Sequence, residues 1–433
     1  MLVTIFKKNI SSYRFIKIIL CMFILTSSNI LVATQKLPTI NAEAAILMDA
    51  KTGSILYEKN AYEKYYPASI TKLITAYLAI QNLNPNEYIT FSRHAVYSLE
   101  YNSSNIGMRE GEQILVDQAL HALLLESANE VANALAERVS GTTENFAKLM
   151  TKTAHDFGAT KTNFANPHGL HDSNHYTTPY DMALITKGIY NNEYLLEIMD
   201  NPTYQIPSTN LSNSTTYLSQ SHALMNPVKD SQRYREDVIL GKTGYTSQAG
   251  NTLVTVGKRG EVELIVVIMK GNIQTNYIDT NALLDYGFNS YSSLNLNSPN
   301  EIITVAPLYS IQSGKLFEVA SCEISTKDKI SVVVRSDVFK KDLDVFMNLE
   351  KNLRLGAKEG DTVGNITYMH NGKNLASSEL VISKIKFKPA TTAYNEPNVV
   401  KSSYFFNIDV FVVAAVGIII IFIFTRKKHY SKK

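Results

Sequence analysis

The stretch Thr252–Met269, TLVTVGKRGEVELIVVIM, determines the predicted fold of this chain. It consists of two apolar halves separated by Arg259-Gly260, a pair that is typical of a tight turn. Two such runs joined in this way predict an antiparallel hairpin. Val238–Lys242, just upstream, has the same strand character. The sequence therefore predicts three neighbouring strands in this region.

Two further strands are predicted near the other end of the same region, at Ala44–Asp49 and Ser54–Tyr57, with a Lys-Thr-Gly turn between them. Between the two groups of strands, the spacing of apolar residues predicts helices over 70–81, 117–125, 129–139, 143–157 and 179–190. Strands at both ends with helices between them favour one antiparallel sheet packed by helices. The predicted class is therefore α+β, and not a doubly wound sheet.

The character of the sequence changes after this first domain, to which we assign residues 37–291. Short β-rich runs alternate with charged turns over 298–389, which predicts a separate small all-β domain. Residues 390–403, with Thr, Asn, Pro and Ser, are interpreted as a linker.

Both ends of the chain have the pattern of membrane-targeting segments. Residues 1–36 combine a basic stretch with an apolar run and are predicted to be a signal peptide, with an uncleaved anchor as the alternative. Residues 404–425 are long and apolar enough to predict a transmembrane helix. The basic tail 426–433 follows at once, so the positive-inside rule places it in the cytoplasm and the body of the protein outside.

Charge and cysteine content limit the possible functions. The formal net charge of the 433 residues is +3, but the basic excess lies at the two ends, so it gives no indication of nucleic-acid binding. The two cysteines are Cys21, inside the predicted signal peptide, and Cys322, so the mature chain has no pair for an internal disulfide.

The first candidate motif is Ser69-Ile70-Thr71-Lys72, at the beginning of an apolar-periodic helix. A lysine three residues after a serine lies on the same helical face, within reach of its hydroxyl. Ser69 is then a candidate nucleophile and Lys72 its general base. Neutralising a lysine with an ordinary pKa costs about 4–5 kcal/mol at neutral pH, so burial or positive charge must lower the pKa of Lys72. The alternative is a capping serine followed by a surface lysine.

The second motif, Ser127-Ala128-Asn129, lies in a break between two predicted helices. There the Ser127 hydroxyl can carry a proton between the general base and the leaving amine. Asn129 can hold the substrate backbone or the amine of the base. As local structure alone, these residues are helix caps, which is the other interpretation.

The third motif, Lys242-Thr243-Gly244, ends a predicted strand. Lys242 and Thr243 can bind a carboxylate, and Gly244 leaves room for a substrate backbone along the strand edge. The N–H groups of Tyr245 and Ser69 are the predicted oxyanion hole.

A competing group of side chains lies in one loop and consists of His168, His171, Asp172 and His175. Such residues can bind zinc. The loop contains Pro and Gly, however, and lacks the His-x-x-x-His spacing on a helix with a glutamate between. We therefore predict a structural loop, with no metal and no cofactor.

Five segments together carry a resemblance to a known family: ILMDAKTG at 46–53, YPASITK at 66–72, LLESAN at 124–129, NPHGL at 166–170 and GKTGYTSQAG at 241–250. They resemble the low-molecular-mass penicillin-binding proteins that are D-alanyl-D-alanine carboxypeptidases (serine peptidase family S11). The likeness covers about residues 40–290, and the following β domain and C-terminal anchor are similar to that family's layout.

The resemblance implies a β-lactamase/transpeptidase-like fold and a reaction on peptidoglycan stem peptides. Ser69 would attack the bond between the last two D-alanines, D-alanine would leave, and water would hydrolyse the acyl-enzyme. β-Lactams would acylate Ser69 as substrate mimics. The implied location is the outer face of a bacterial cytoplasmic membrane, with roles in cell-wall synthesis and cell shape. The oligomeric state is left open.

Two positions depart from the family pattern. Ala128 stands where many relatives carry glycine. Asn272–Asp279 has no basic residue where relatives often carry an arginine that helps bind the terminal carboxylate. Binding of the substrate's terminal carboxylate is then expected to depend on Lys242 and Thr243 alone. The catalytic strength of this chain is therefore left open.

Three other functions share part of this sequence pattern. A class A β-lactamase would need a loop whose glutamate activates the deacylating water. The nearest candidate segment, Glu193–Glu197, lacks the asparagine expected at the end of that loop and lies too far beyond Ser127. A D,D-endopeptidase that cuts cross-links would share the catalytic fold. A catalytically weak penicillin-binding wall or sporulation factor would use its β domain to bind partners.

Overall fold

A computed structural model of the chain describes residues 36–299, 301–350, 353–354 and 356–388. The predicted linker 390–403, the predicted transmembrane helix 404–425 and the basic tail lie outside these residues, as does the predicted signal peptide except for its last residue. Within the described part of the chain, no helix has the length and apolar character needed to span a membrane.

Contacts divide the protein into two compact units. Of the described residues, the first unit contains those up to Asn297 together with Lys329–Phe346 and Thr367–Ser377. The second contains those in Ser298–Asp328 and Met347–Ile366 and those from Ser378 to Lys388. The strands, in chain order, are β1 (Ala44–Asp49), β2 (Ile55–Lys59), β3 (Tyr88–Thr90), β4 (Gln113–Leu115), β5 (Thr203–Ile206), β6 (Thr216–Ser219), β7 (Val238–Thr246), β8 (Gly250–Arg259), β9 (Val262–Gly271), β10 (Tyr291–Asn297), β11 (Thr304–Gln312), β12 (Lys315–Thr326), β13 (Ile330–Arg335), β14 (Asp344–Leu349), β15 (Leu353–Arg354), β16 (Thr362–His370) and β17 (Lys373–Phe387).

The α-helices are α1 (Lys72–Asn82), α2 (Arg93–Tyr97), α3 (Val116–Leu125), α4 (Asn129–Ser140), α5 (Thr143–Asp156), α6 (Pro179–Ile189), α7 (Glu193–Met199) and α8 (Asn276–Ser290). Short 3-10 turns cover Ala68–Thr71, Ala223–Met225 and Lys340–Asp342. Side-chain caps begin several helices: Thr142 accepts a hydrogen bond from the Asn145 N–H, and Thr178 accepts one from Asp181.

The first unit contains a five-stranded sheet in the order β2-β1-β9-β8-β7, and every neighbouring pair is antiparallel. The prediction of one antiparallel sheet built from both ends of the domain is therefore confirmed. The strands and helices of the α+β pattern lie close to their predicted bounds, although β7 continues to Thr246 and so contains all of the third motif.

Helices cover both faces of this sheet. A Cβ added to Gly287 of α8 would lie 2.5 Å from Leu264, so α8 packs very closely on β9. Glu263, the residue before Leu264 on β9, accepts a hydrogen bond from the hydroxyl of Tyr190 at the end of α6. Because successive residues of a strand point to opposite faces, α8 and α6 lie on opposite sides. The strands β1 and β9 between them are almost fully buried.

Smaller antiparallel pairs join β3 to β4, β5 to β6 and β10 to β13. In the second unit, β12 pairs with β11 on one side and with β17 on the other, both antiparallel. Cys322 on β12 is buried and has no disulfide partner among the described residues.

Candidate active site

Ser69 lies in the 3-10 turn Ala68–Thr71, which continues directly into α1. The sequence predicted that Ser69 would open the α-helix, and the structure corrects this: the α-helix begins at Lys72. The backbone just before the serine is constrained, because buried Ala68 has φ +51°. A Cβ on Gly169 would lie 2.0 Å from the Ala68 carbonyl oxygen, so only glycine fits against this turn. The packing of two loops therefore holds Ser69 in place.

The Lys72 amine is fully buried and surrounded by uncharged acceptors. Its Nζ lies 2.8 Å from Ser69 Oγ, 2.7 Å from Asn129 Oδ1 and 2.6 Å from the His168 carbonyl oxygen. Burial lowers the pKa of Lys72 well below its ordinary value, and the positive charge of Lys242 lowers it further. The neutral amine has two N–H bonds for the two carbonyl acceptors, so its lone pair is left for the serine hydroxyl.

The second motif lies in the predicted break between α3 and α4. Ser127 has φ +62°, an unusual conformation for a residue with a side chain, and its buried Oγ has no hydrogen-bond partner among the described residues. Asn129 is the first residue of α4, and its N–H donates to the Ser104 carbonyl oxygen, 2.9 Å away. The sequence alternative, in which both residues only cap helices, does not account for the bond between the Asn129 side chain and Lys72.

The third motif lies on β7, one of the two edge strands of the five-stranded sheet. Lys242 is 1% exposed, and its Nζ donates to the Thr243 carbonyl oxygen at 3.1 Å. Burial lowers the pKa of Lys242 to about 7. Thr243 Oγ1 lies 3.2 Å from the Ser221 hydroxyl. Glu126 raises the pKa of Lys242 through its charge, but none of the described carboxylates forms an ion pair with the Lys242 amine.

Gly244 brings the strand against the nucleophile. A Cβ at this position would lie 2.7 Å from the Ser69 nitrogen and 2.4 Å from Thr252 Oγ1. Thr252 in turn donates to the Pro67 carbonyl oxygen at 2.7 Å, which ties β8 to the segment before Ser69. All three sequence motifs thus come together at Ser69 and Lys72. The oxyanion hole formed by the Ser69 and Tyr245 N–H groups stays a prediction.

The model of the family described as D-alanyl-D-alanine carboxypeptidase matches residues 31–272, more than half of the chain. The chain belongs to this family. The predicted family membership is therefore confirmed.

Individual members of the carboxypeptidase family show the same likeness. The D-alanyl-D-alanine carboxypeptidase DacF of Bacillus subtilis is 27% identical over 78% of this chain and 84% of its own length. The crystal structure of penicillin binding protein 5 from Haemophilus influenzae superposes with a TM-score of 0.66 at 26% identity, over 81% of this chain and 99% of that one. The crystal structure of a D-alanyl-D-alanine carboxypeptidase from Mycobacterium tuberculosis superposes with a TM-score of 0.54 at 27% identity, over 60% of this chain and 95% of that one.

In this chain, the loop that contains His168, His171, Asp172 and His175 has a role that the sequence did not predict. The backbone carbonyl of His168 contacts Lys72, whereas the buried His175 ring lies 2.8 Å from Thr71 Oγ1 and accepts a hydrogen bond from the Ala165 N–H. Burial lowers the pKa of His175 to about 3, so its ring is neutral. In the described part of the chain, no three His, Cys, Asp or Glu side chains are grouped to hold a metal.

Two further residues near the site were also not predicted. Ser221, between β6 and β7, contacts Thr243 as described above. Glu130 is buried next to Asn129, and its Oε1 accepts a hydrogen bond from the Ile106 N–H at 2.7 Å. Burial raises the pKa of this carboxyl group. No sequence signal separates Glu130 from the other charged residues of α4, Glu137 and Arg138.

Proposed function

We propose that this chain is a serine-type D-alanyl-D-alanine carboxypeptidase that removes the terminal D-alanine from peptidoglycan pentapeptide stems. The observation that carries the proposal is the fully buried Lys72 amine, 2.8 Å from Ser69 Oγ, with its other two polar neighbours both carbonyl oxygens. Such an amine is a base, because its environment favours the neutral form.

The reaction begins when the Ser69 hydroxyl gives its proton to Lys72 and its oxygen attacks the carbonyl of the penultimate D-alanine. The developing oxyanion is stabilised by the N–H groups of Ser69 and Tyr245. As the C–N bond breaks, Ser127 passes the proton to the leaving D-alanine amine, and an ester on Ser69 remains. Water, deprotonated by the same lysine, then hydrolyses this ester.

The terminal carboxylate of the substrate is bound by Lys242 and Thr243. The substrate backbone lies along the free edge of β7, where Gly244 offers no side chain to obstruct it. Ser221 holds the Thr243 hydroxyl in position. β-Lactams carry a carboxylate and a strained amide in the same arrangement, so they acylate Ser69 and act as inhibitors.

The sequence patterns at the ends of the chain support a location for this activity. Residues 1–36 act as a signal peptide, the catalytic domain occupies 37–291, and a small β-rich domain occupies 298–389. A linker over 390–403 leads to a transmembrane anchor at 404–425 and a cytoplasmic tail at 426–433. The cleft then faces the cell wall on the outer side of the cytoplasmic membrane, where its partner is the stem peptide.

The test is release of D-alanine from a pentapeptide, measured beside labelling by a fluorescent penicillin. The protein is expected to release D-alanine, and Ser69→Ala is expected to abolish both signals. Penicillin labelling without D-alanine release would refute the carboxypeptidase assignment. A cross-linked peptide dimer in the same assay distinguishes the D,D-endopeptidase, which would cut the dimer in preference to the pentapeptide.

A further inference from the structure

A groove of about 480 Å³ lies in the first unit, and none of the steps proposed above uses it. Its lining includes tyrosine rings, two lysines and one carboxylate, from residues Glu43, Lys64, Tyr65, Tyr66, Gln248 and Lys270. Aromatic surfaces with a few charged groups are typical of ligand sites.

The groove adjoins the catalytic residues through two segments of the chain. Tyr66 is three residues before Ser69, and Gln248 is three residues after Tyr245. Lys270, at the end of β9, donates from Nζ to the Gln248 carbonyl oxygen at 2.6 Å. The groove therefore begins where the edge strand β7 ends.

A substrate that lies along β7 reaches this groove with the part of the stem that precedes the cleaved bond. The terminal carboxylate is at Lys242 and the attacked carbonyl is near Tyr245, so the preceding residues continue past Thr246. At about 3.3 Å per residue, the residue directly before the acylated D-alanine lies beside the end of the strand. In stem peptides this residue is a diamino acid with a long side chain that ends in an amine, either alone or together with a carboxylate.

The charges of the groove match a side chain that ends in both an amine and a carboxylate. Lys64 Nζ lies 3.9 Å from the centroid of the Tyr176 ring, and the exposed Lys270 is the second cation. Glu43, which accepts a hydrogen bond from the Tyr65 hydroxyl at 3.3 Å, is the one carboxylate that lines this groove. Two cations beside one anion can hold a carboxylate and an amine together, whereas a lone amine would face a net positive charge.

We propose that this groove binds the diamino acid of the stem peptide and selects a side chain that ends in both an amine and a carboxylate. The carboxylate lies between Lys64 and Lys270, and the amine lies at Glu43. This inference rests on the carboxypeptidase function proposed above.

The experiment compares two pentapeptides that differ only in the third residue, meso-diaminopimelate or L-lysine. The expected kcat/KM for D-alanine release is roughly fivefold higher with diaminopimelate, the size expected for partly exposed ion pairs. The double variant Lys64→Met/Lys270→Met should bring the ratio to about one. Glu43→Gln should lower kcat/KM for both peptides to a similar extent, since both carry the amine.

Two controls separate this inference from a damaged enzyme. Lys148→Met removes an exposed lysine outside the groove and should leave the ratio unchanged. The rate of acylation by penicillin, which has no diamino acid, should be the same in all variants. Equal kcat/KM for the two peptides, or a preference that survives in the double variant, would overturn the inference alone. Penicillin acylation with no D-alanine release from either peptide would overturn the proposed function and this inference with it.

Discussion

The low pKa of Lys242 predicts a specific loss of activity in mild alkali. Burial lowers this pKa from 10.5 to about 7, so the free enzyme holds a charged carboxylate anchor only up to about neutral pH. At about pH 9 roughly 1% of the molecules would still carry the proton. About half of the molecules carry it at pH 7. Since kcat/KM reports the protonation of the free enzyme, it should fall ~50-fold between pH 7 and 9 for a substrate with a terminal carboxylate.

The assay is D-alanine release at low substrate concentration across this pH range. A matched peptide with an amidated C-terminus has no carboxylate for Lys242, so its slower reaction should show no such fall and reports on Lys72 alone. Lys242→Arg, whose guanidinium stays charged, should remove the fall for the carboxylate substrate. A flat profile for the natural substrate up to pH 9, or an equal fall for the amidated peptide, would refute the reasoning.

Three other substitutions test the packing and the charges of the site. Gly169→Ala places a Cβ 2.0 Å from the Ala68 carbonyl oxygen at φ +88°, so it should lower the free energy of unfolding by about 2 kcal/mol or more, measured in urea. Asn129→Ala removes an acceptor 2.7 Å from Lys72 Nζ and should lower the penicillin acylation rate roughly 10- to 100-fold while labelling remains complete at long times. Between pH 7 and about 10 the unfolded chain binds the Lys242 proton and the folded chain does not. The free energy of unfolding should therefore rise with pH, by up to about 5 kcal/mol from this group. Lys242→Met should remove that rise, as measured by denaturation curves of both proteins at each pH.

The sheet and the three motifs were predictable because each depends on local sequence. The β8–β9 hairpin is encoded by two apolar runs and a turn, and the helices that carry Lys72 and Asn129 have clear apolar periodicity. α8 was not predicted, since Asn276–Ser290 contains Gly and several Asn and Asp residues with weak helix propensity. It is stabilised by tertiary packing, as in the contact between Gly287 and Leu264.

The site was predictable in its side chains and not in its backbone. Spacing alone predicted that Lys72 would lie within reach of the Ser69 hydroxyl, although Ser69 belongs to the 3-10 turn and not to the α-helix. The third polar neighbour of Lys72 is the carbonyl oxygen of His168, a group that every residue has, so no residue type could indicate it. The left-handed conformation of Ala68 is likewise set by long-range contacts, and no local pattern predicts it.

The two buried lysines have different roles because their neighbours differ. Lys72 is surrounded by uncharged oxygen atoms at hydrogen-bond distance, and each of them is satisfied by a neutral amine. Lys242 has one carbonyl acceptor, and Glu126 is the group that raises its pKa. An arriving carboxylate therefore supplies the missing counterion and raises the pKa of Lys242. The charge on Lys242 lowers the pKa of Lys72, and the bound carboxylate has the opposite effect. The low pKa of the base therefore rests mainly on its burial, which the substrate does not remove.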